Sequence, residues 1–271
     1  MTVLIDALAE SVAEFGPRTQ RFPVYLVPPP GEEVVAAETM LGVGDLHRFF
    51  LRALAEWIEH PDMAELIAAG ASRFMRRYCG SMVSATLIPL TEGVAVDVSL
   101  PRVSLVVRDE MPMGAVVDLE GGAVATSSER PTAWPITGET LGTAAALRER
   151  ALHSLFADNL MPALRRVHEE VHLSRRLMWA TVAEQIDALY ETAIESGDPR
   201  RRGTLAEDRD ALFTAGSLPG VPGENPLRDV LDWGQAGHPR TFCCICYVIP
   251  GRNGPDRDSH CRGCPMLTLT P

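Results

Sequence analysis

Five cysteines crowd the stretch "RTFCCICYVIPGRNGPDRDSHCRGCP", Arg240–Pro265: Cys243, Cys244, Cys246, Cys261 and Cys264. The chain holds six cysteines in 271 residues, so everything outside this stretch supplies one. Four thiolates from one short segment satisfy either Zn²⁺ or an iron–sulfur cluster. Cys261-x2-Cys264 suits one end of a zinc ribbon, and Cys244-x-Cys246 would make a tight pair at the other. A disulfide is the third possibility, although adjacent cysteines bridge poorly to each other. Spacing alone leaves all three open.

A second pattern is HEEVH, His168–His172. It satisfies the H-E-x-x-H of zinc peptidases, in which histidines at i and i+4 share a helical face and the glutamate is the general base. The pattern is short enough to arise by chance. No H-x-x-G-x-x-H follows to supply a third ligand, and Glu184 and Glu195 fit no ligand spacing. No metal is expected there.

The same region has a second reading. At 100° per residue, Leu164, Val167, Val171, Met178, Val182 and Leu189 form one apolar stripe of a continuous helix. His168, Arg175 and Trp179 fall on or beside that stripe, with His172 at its edge. An arginine on an apolar face needs a partner, because a buried charge is costly alone. Arg175, Trp179, His168 and His172 are therefore candidate substrate-binding residues. The competing reading is an arginine salt-bridged to a carboxylate beside a packed tryptophan. A helix starting at Ser174 would break the phase.

Net charge is −11 and 46% of residues are hydrophobic, an ordinary globular balance with an acidic excess. Phosphate backbones and anionic lipid repel such a chain overall, so nucleic acid is not an expected partner. No run reaches the ~18 apolar residues of a membrane span. The start, "MTVLIDALAESVAEF", lacks the basic region and cleavage site of a signal peptide. A cytoplasmic location follows as the expectation, and thiols stay reduced there, which favours metal over disulfide.

The elements that must position these residues read as α+β, mainly helical. Leu4, Leu8, Val12 and Phe15 have helical spacing. "FPVYLVPPPGEE" (Phe22–Glu33) is a short extended piece running into a proline loop. A helix is expected from Asp45 through Ile58, with Leu46, Phe49, Phe50 and Trp57 on its apolar face, and another over about Phe74–Leu87. The period then changes. Val94, Val96, Val98 and Leu100 alternate as in a half-buried strand, with Val103–Val107 and Gly114–Leu119 as partners. A small central antiparallel sheet is expected over about 93–135. Helix resumes from Thr140 to about Ser196. "SLPGVPGENP" (217–226) is a connector into the cysteine segment. The division is 1–238, an α+β body with the substrate pocket, and 239–271, the cysteine-rich segment. Neither GxGxxG nor GxxxxGK[ST] is present, so no nicotinamide or flavin fingerprint is read. Cys79 is expected in the core.

Arg240, the Cys243–Cys244 doublet, Tyr247, Pro250, and then Cys261, Cys264 and Pro265 resemble the C-terminal signature of the FhuF-like ferric-siderophore reductases. The resemblance extends upstream. "LMPALRRVHEEVHLSRRLMWATVAEQI" (Leu160–Ile186) looks like that family's helix pair, and "YCGSMVSATLIPLTEGVAVDVSLPRVSLVV" (Tyr78–Val107) its helix-then-sheet region. It implies a [2Fe–2S] cluster held by Cys243, Cys244, Cys261 and Cys264, with no catalytic residue beyond the cluster. It implies one-electron transfer to siderophore-bound Fe³⁺ and release of Fe²⁺. Partners would be a ferric siderophore and an external donor of ferredoxin or flavodoxin type, with contact to the inner membrane peripheral at most. Sixteen residues separate the doublet from Cys261, longer than in better-known members, and Cys246 is an extra thiol. The readings from other classes are a zinc-stabilised binding protein with a structural four-cysteine tail and an HExxH zinc metallopeptidase.

Overall fold

The computed structural model describes residues 23–42, 46–47, 49–50, 63–108, 111–120, 123–129, 138–196 and 199–231. The five clustered cysteines, the boundary at 238–239, the N-terminal helix and Trp57 lie outside the described residues.

The organising element is a long helix. A short helix α1 (Ala37–Met40) precedes it, and α2 spans Met63–Thr91, 29 residues. From Phe74 onwards nearly every α2 side chain is buried. A helix apolar on all sides belongs inside a protein rather than on its surface. It packs against helices and against both sheets. Pro89 falls in its last turn, and the chain leaves through Gly93, whose φ of +79° suits glycine. The expected helix over Phe74–Leu87 is thus the middle of a longer one.

The strands form two small mixed sheets, not one antiparallel sheet. The first has the order β1 (Val24–Tyr25), β5 (Met111–Val117), β4 (Val103–Arg108), β2 (Glu33–Ala36). Its β4–β5 and β2–β4 pairs are antiparallel, and β1–β5 is parallel. The second has the order β3 (Val94–Val96), β6 (Val124–Ser127), β7 (Glu139–Leu141), antiparallel then parallel. The expected pairing of Val103–Val107 with Gly114–Leu119 holds as β4–β5. The expected half-buried strand from Val94 does not. Ala95 is as buried as Val94 and Val96, because α2 covers one side of β3 and the helix after β7 covers the other. A strand covered on both faces loses its alternation. The turn at Leu100–Arg102, with Pro101, then sends the chain to the other sheet.

After β7 come α3 (Ala144–Leu155), a π-helical turn over Phe156–Leu160, and α4 (Met161–Val171). Thr143 caps α3, its Oγ1 accepting from the Ala146 N–H at 3.1 Å. Helices α5 (Arg175–Ser196) and α6 (Arg202–Thr214) follow. The class is therefore α+β, mainly helical.

The core contains a buried polar relay. The Tyr78 hydroxyl donates to Asn159 Oδ1 at 2.9 Å, and Asn159 Nδ2 donates to the Val98 carbonyl at 2.6 Å. Burial pushes the Tyr78 phenol well above its ordinary value, so it stays a donor. Beside it, Ser154 Oγ accepts from the Val98 N–H and donates to Asp97. Burial pushes the Asp97 carboxyl up. Hydrogen bonds from Ser99 and Ser154 and the Arg102 charge outweigh it and hold Asp97 below the ordinary carboxylate value. The relay joins α2, the turn after β3, and the helical run α3–α4. Among the described residues, no helix is long and apolar enough to cross a membrane.

Candidate functional site

Two places are candidates: the turn between α4 and α5, and the turn that leads into the cysteine segment.

The first carries the sequence candidates. Helix α4 ends at Val171, because His172 adopts φ +53°, the left-handed conformation of a helix terminator. The Met178 N–H bonds the Ser174 carbonyl, so a new helix starts at Ser174. The continuous helix assumed for the apolar stripe is therefore two helices, and the phase is lost at His172–Ser174. Arg175 is exposed at the first turn of α5, and His172 is exposed beside it. Trp179 is buried and packs its ring at 6.2 Å from Phe156. His168 is half-buried, and its Nδ1 donates to the Leu173 carbonyl at 2.8 Å. The structure thus brings His168 and His172 together, their rings 6.2 Å apart edge to face. It separates Arg175, in solvent, from Trp179, in the core.

HEEVH does not set its two histidines on one helical face. Its second histidine lies beyond the helix end, and its glutamates serve Arg166. Arg166 Nη2 donates to Glu170 at 3.1 Å, with Glu169 at 3.6 Å from Nη1. Among the described residues, no group of three or more His, Cys, Asp or Glu is arranged to hold a metal. His168→Ala and Glu169→Gln are expected to leave the metal content of the purified protein unchanged. Loss of the Leu173 contact should cost about 1 kcal/mol of stability in the histidine variant. One equivalent of zinc in the native protein, lost on His168→Ala, would contradict this.

The second place was not singled out from sequence. The connector Ser217–Pro226 is built onto the body by Asn225, which is 4% exposed. Its Nδ2 donates to the Leu212 and Ala215 carbonyls at 2.8 and 3.0 Å, which are end groups of α6. Its Oδ1 accepts from the Leu227 N–H at 2.9 Å, and its backbone N–H bonds the Gly216 carbonyl. Upstream, Gly220 at φ +69° presses against the π turn. A Cβ there would meet the Ala157 Cβ at 2.4 Å and His153 Nε2 at 2.8 Å.

Between α6 and this anchored turn lies a cavity of about 440 Å³, lined by Arg209, Asp210, Phe213, Thr214, Arg228 and Asp229. Arg209 is held from two sides, by Asp210 at 3.1 Å and by the buried Asp187 of α5 at 3.8 Å. Phe213 is buried and forms an apolar wall. Arg228 and Asp229 are exposed at the lip, and Asp229 sits at φ +59°. The described chain ends just beyond them, at Leu231. The lining offers two guanidinium forks and two carboxylates around an apolar surface, a set that holds a polar ligand rather than an aliphatic one.

Cys79 takes no part in either place. It is fully buried, and burial pushes its thiol far above its ordinary value, so it stays a neutral core residue as expected.

Residues 72–237 match the family described as ferric iron reductase FhuF-like transporter. The chain belongs to that family. The match covers more than half of the sequence, runs from within α2 through the anchored connector, and ends before Cys243. No protein of curated function matches the FhuF-like chain. Among solved structures it is similar to the aerobactin synthetase IucC from a hypervirulent pathotype of Klebsiella pneumoniae. The TM-score is 0.48 at 13% identity, over 73% of this chain and 36% of that one. The chain thus spans about a third of the synthetase's length.

The signal that could have found the second place is short. "ENPLRD" (Glu224–Asp229) puts an Asn-Pro turn between two charged lips, and Asn-Pro favours turn initiation. Composition hid it, because a Pro/Gly-rich stretch reads as a linker.

Proposed function

We propose that this FhuF-like chain is a cytoplasmic ferric-siderophore reductase whose C-terminal segment holds a [2Fe–2S] cluster. The observation that carries the proposal is the family match over residues 72–237, followed directly by a segment with five cysteines. The donor set suits the group: Cys243, Cys244, Cys261 and Cys264 supply four soft thiolates, and the described body offers only a buried, neutral Cys79. When bound, such a cluster supplies one electron at a time.

The rest of the chemistry belongs to the substrate and the chain. Hard siderophore oxygens hold Fe³⁺ tightly and the softer Fe²⁺ far more weakly, so gain of one electron frees the metal. Nothing covalent forms or breaks at the protein, and no proton need move at a side chain. The chain's task is to bring the ferric complex close to its cysteine segment and hold it there. Without a nucleotide fingerprint, the electron comes from an external one-electron donor of ferredoxin or flavodoxin type. A reducing compartment keeps the free thiols available for iron.

The test is the absorption spectrum with iron and acid-labile sulfide analysis of protein purified without oxygen. The expected result is a red-brown protein with iron and sulfide in equal amounts. With a chemically reduced ferredoxin present, a ferrous-specific chelator should then trap Fe²⁺ from a ferric siderophore. A colourless protein carrying zinc would overturn the proposal in favour of a structural four-cysteine tail.

A further inference from the structure

We infer that the cavity at the root of the cysteine segment is the docking site for the ferric complex, with Arg228 as the residue that grips it. This rests on the ferric-siderophore reading above and says where on the chain that substrate sits. Three observations carry it.

The first is chemical. A siderophore complex turns metal-bound and carbonyl oxygens outward, all of them hydrogen-bond acceptors. A guanidinium presents five donors in a planar fork, the geometry that meets paired oxygens best. Arg209 and Arg228 line the cavity from two different walls, one from α6 and one from the turn after Asn225. Phe213, nearly buried, adds a small apolar edge to the lining.

The second is mechanical. A site binds tightly when its walls are fixed before the ligand arrives. Asn225 fixes the turn to the end of α6 through two side-chain hydrogen bonds and braces the turn itself through a third, and Asp187 and Asp210 fix the Arg209 head. Arg228 is the adaptable member, exposed at the lip.

The third is positional. Arg228 precedes Cys243 by fifteen residues of one continuous chain. The lip of the cavity and the thiols are therefore parts of one tethered segment, so a complex held at the lip meets that segment at the high effective concentration of a tethered partner. The α4–α5 turn is tied far more loosely, Arg175 preceding Cys243 by 68 residues, and Arg175 and His172 stand in solvent there while Trp179 is in the core.

Binding is read apart from reduction by replacing iron with gallium(III), which has the same charge and takes no electron. The full-length protein is titrated by calorimetry with the gallium(III) complexes of a trihydroxamate and of a tricatecholate chelator. Arg228→Gln, exposed and therefore tolerated by the fold, should weaken the complex that binds wild type by roughly tenfold to a hundredfold, the worth of a charge-assisted contact. Its iron content and thermal midpoint should stay at the wild-type values. Wild-type affinity in Arg228→Gln overturns the site. So does weakened binding in Arg175→Gln with Arg228→Gln unaffected, which would place the complex at the α4–α5 turn. A fall in iron content on Arg228→Gln with unchanged gallium-complex affinity also overturns it, since the cavity would then serve the chain's own tail. If wild type binds neither complex, the ferric-siderophore reading itself fails.

Discussion

Serine at Cys243, Cys244, Cys261 or Cys264 is expected to bleach the protein or leave a labile, spectrally altered cluster, while Cys246→Ser keeps the colour and near-native iron. The contrast follows from ligand count. A [2Fe–2S] centre held by cysteine alone needs four thiolates, and a serine oxygen is a harder, more basic substitute that holds iron poorly in such a site. Adjacent residues face opposite ways in a strand, so Cys243 and Cys244 can share one cluster only where the backbone is irregular. Pro239 disfavours helix just before them. Cys246 is then a neighbour, and its weak S–H donor would tune the potential rather than hold iron. The rival arrangement takes Cys244 and Cys246, which lie on one side of an extended segment. All five variants are compared for iron and acid-labile sulfide after the same anaerobic preparation. Colour lost in Cys246→Ser and kept in Cys243→Ser would reverse the assignment.

Asn225→Ala is expected to lower stability by about 2–4 kcal/mol and to weaken chelate binding with it, although Asn225 does not line the cavity. The substitution leaves the Leu212 and Ala215 carbonyls and the Leu227 N–H without their side-chain partner in a buried place. Each such group carries its own desolvation penalty, and together they exceed the net worth of any one bond. Asn225→Asp separates the parts. Its carboxylate can still accept from Leu227 but cannot donate to either carbonyl, so it should recover only a fraction. Thermal midpoints give the stability, and limited proteolysis after Leu231 reports whether the root has loosened. An Asn225→Ala protein that melts like wild type would show that the connector is held by other means.

How much of this was legible depended on whether a residue's meaning was local. The β4–β5 pairing and the burial of Cys79 could be read because residue type and local alternation carry them. The α4–α5 stripe could not, because a helix phase is meaningful only while the helix lasts, and one left-handed residue, His172, resets it. Ser174 was the available warning. The strand at Val94 misled for a different reason: alternation reports one covered face, and β3 has two. Arg209 and Arg228 lie on separate elements nineteen positions apart, and no spacing rule joins them. They line one cavity because the turn around the buried Asn225 is fastened to the end of α6.

The π turn at Phe156–Leu160 bears on how this chain compares with its kin. A π turn holds more residues than the α turn it replaces, and one residue amounts to about 100° of helical rotation. Deleting one position there would let α3 run into α4 as an unbroken helix, but it would swing Asn159 away from the Tyr78 hydroxyl and the Val98 carbonyl that it now joins. The phenol would be stranded in a dry interior. A one-residue gap in this segment of a relative therefore obliges a compensating change at the position of Tyr78.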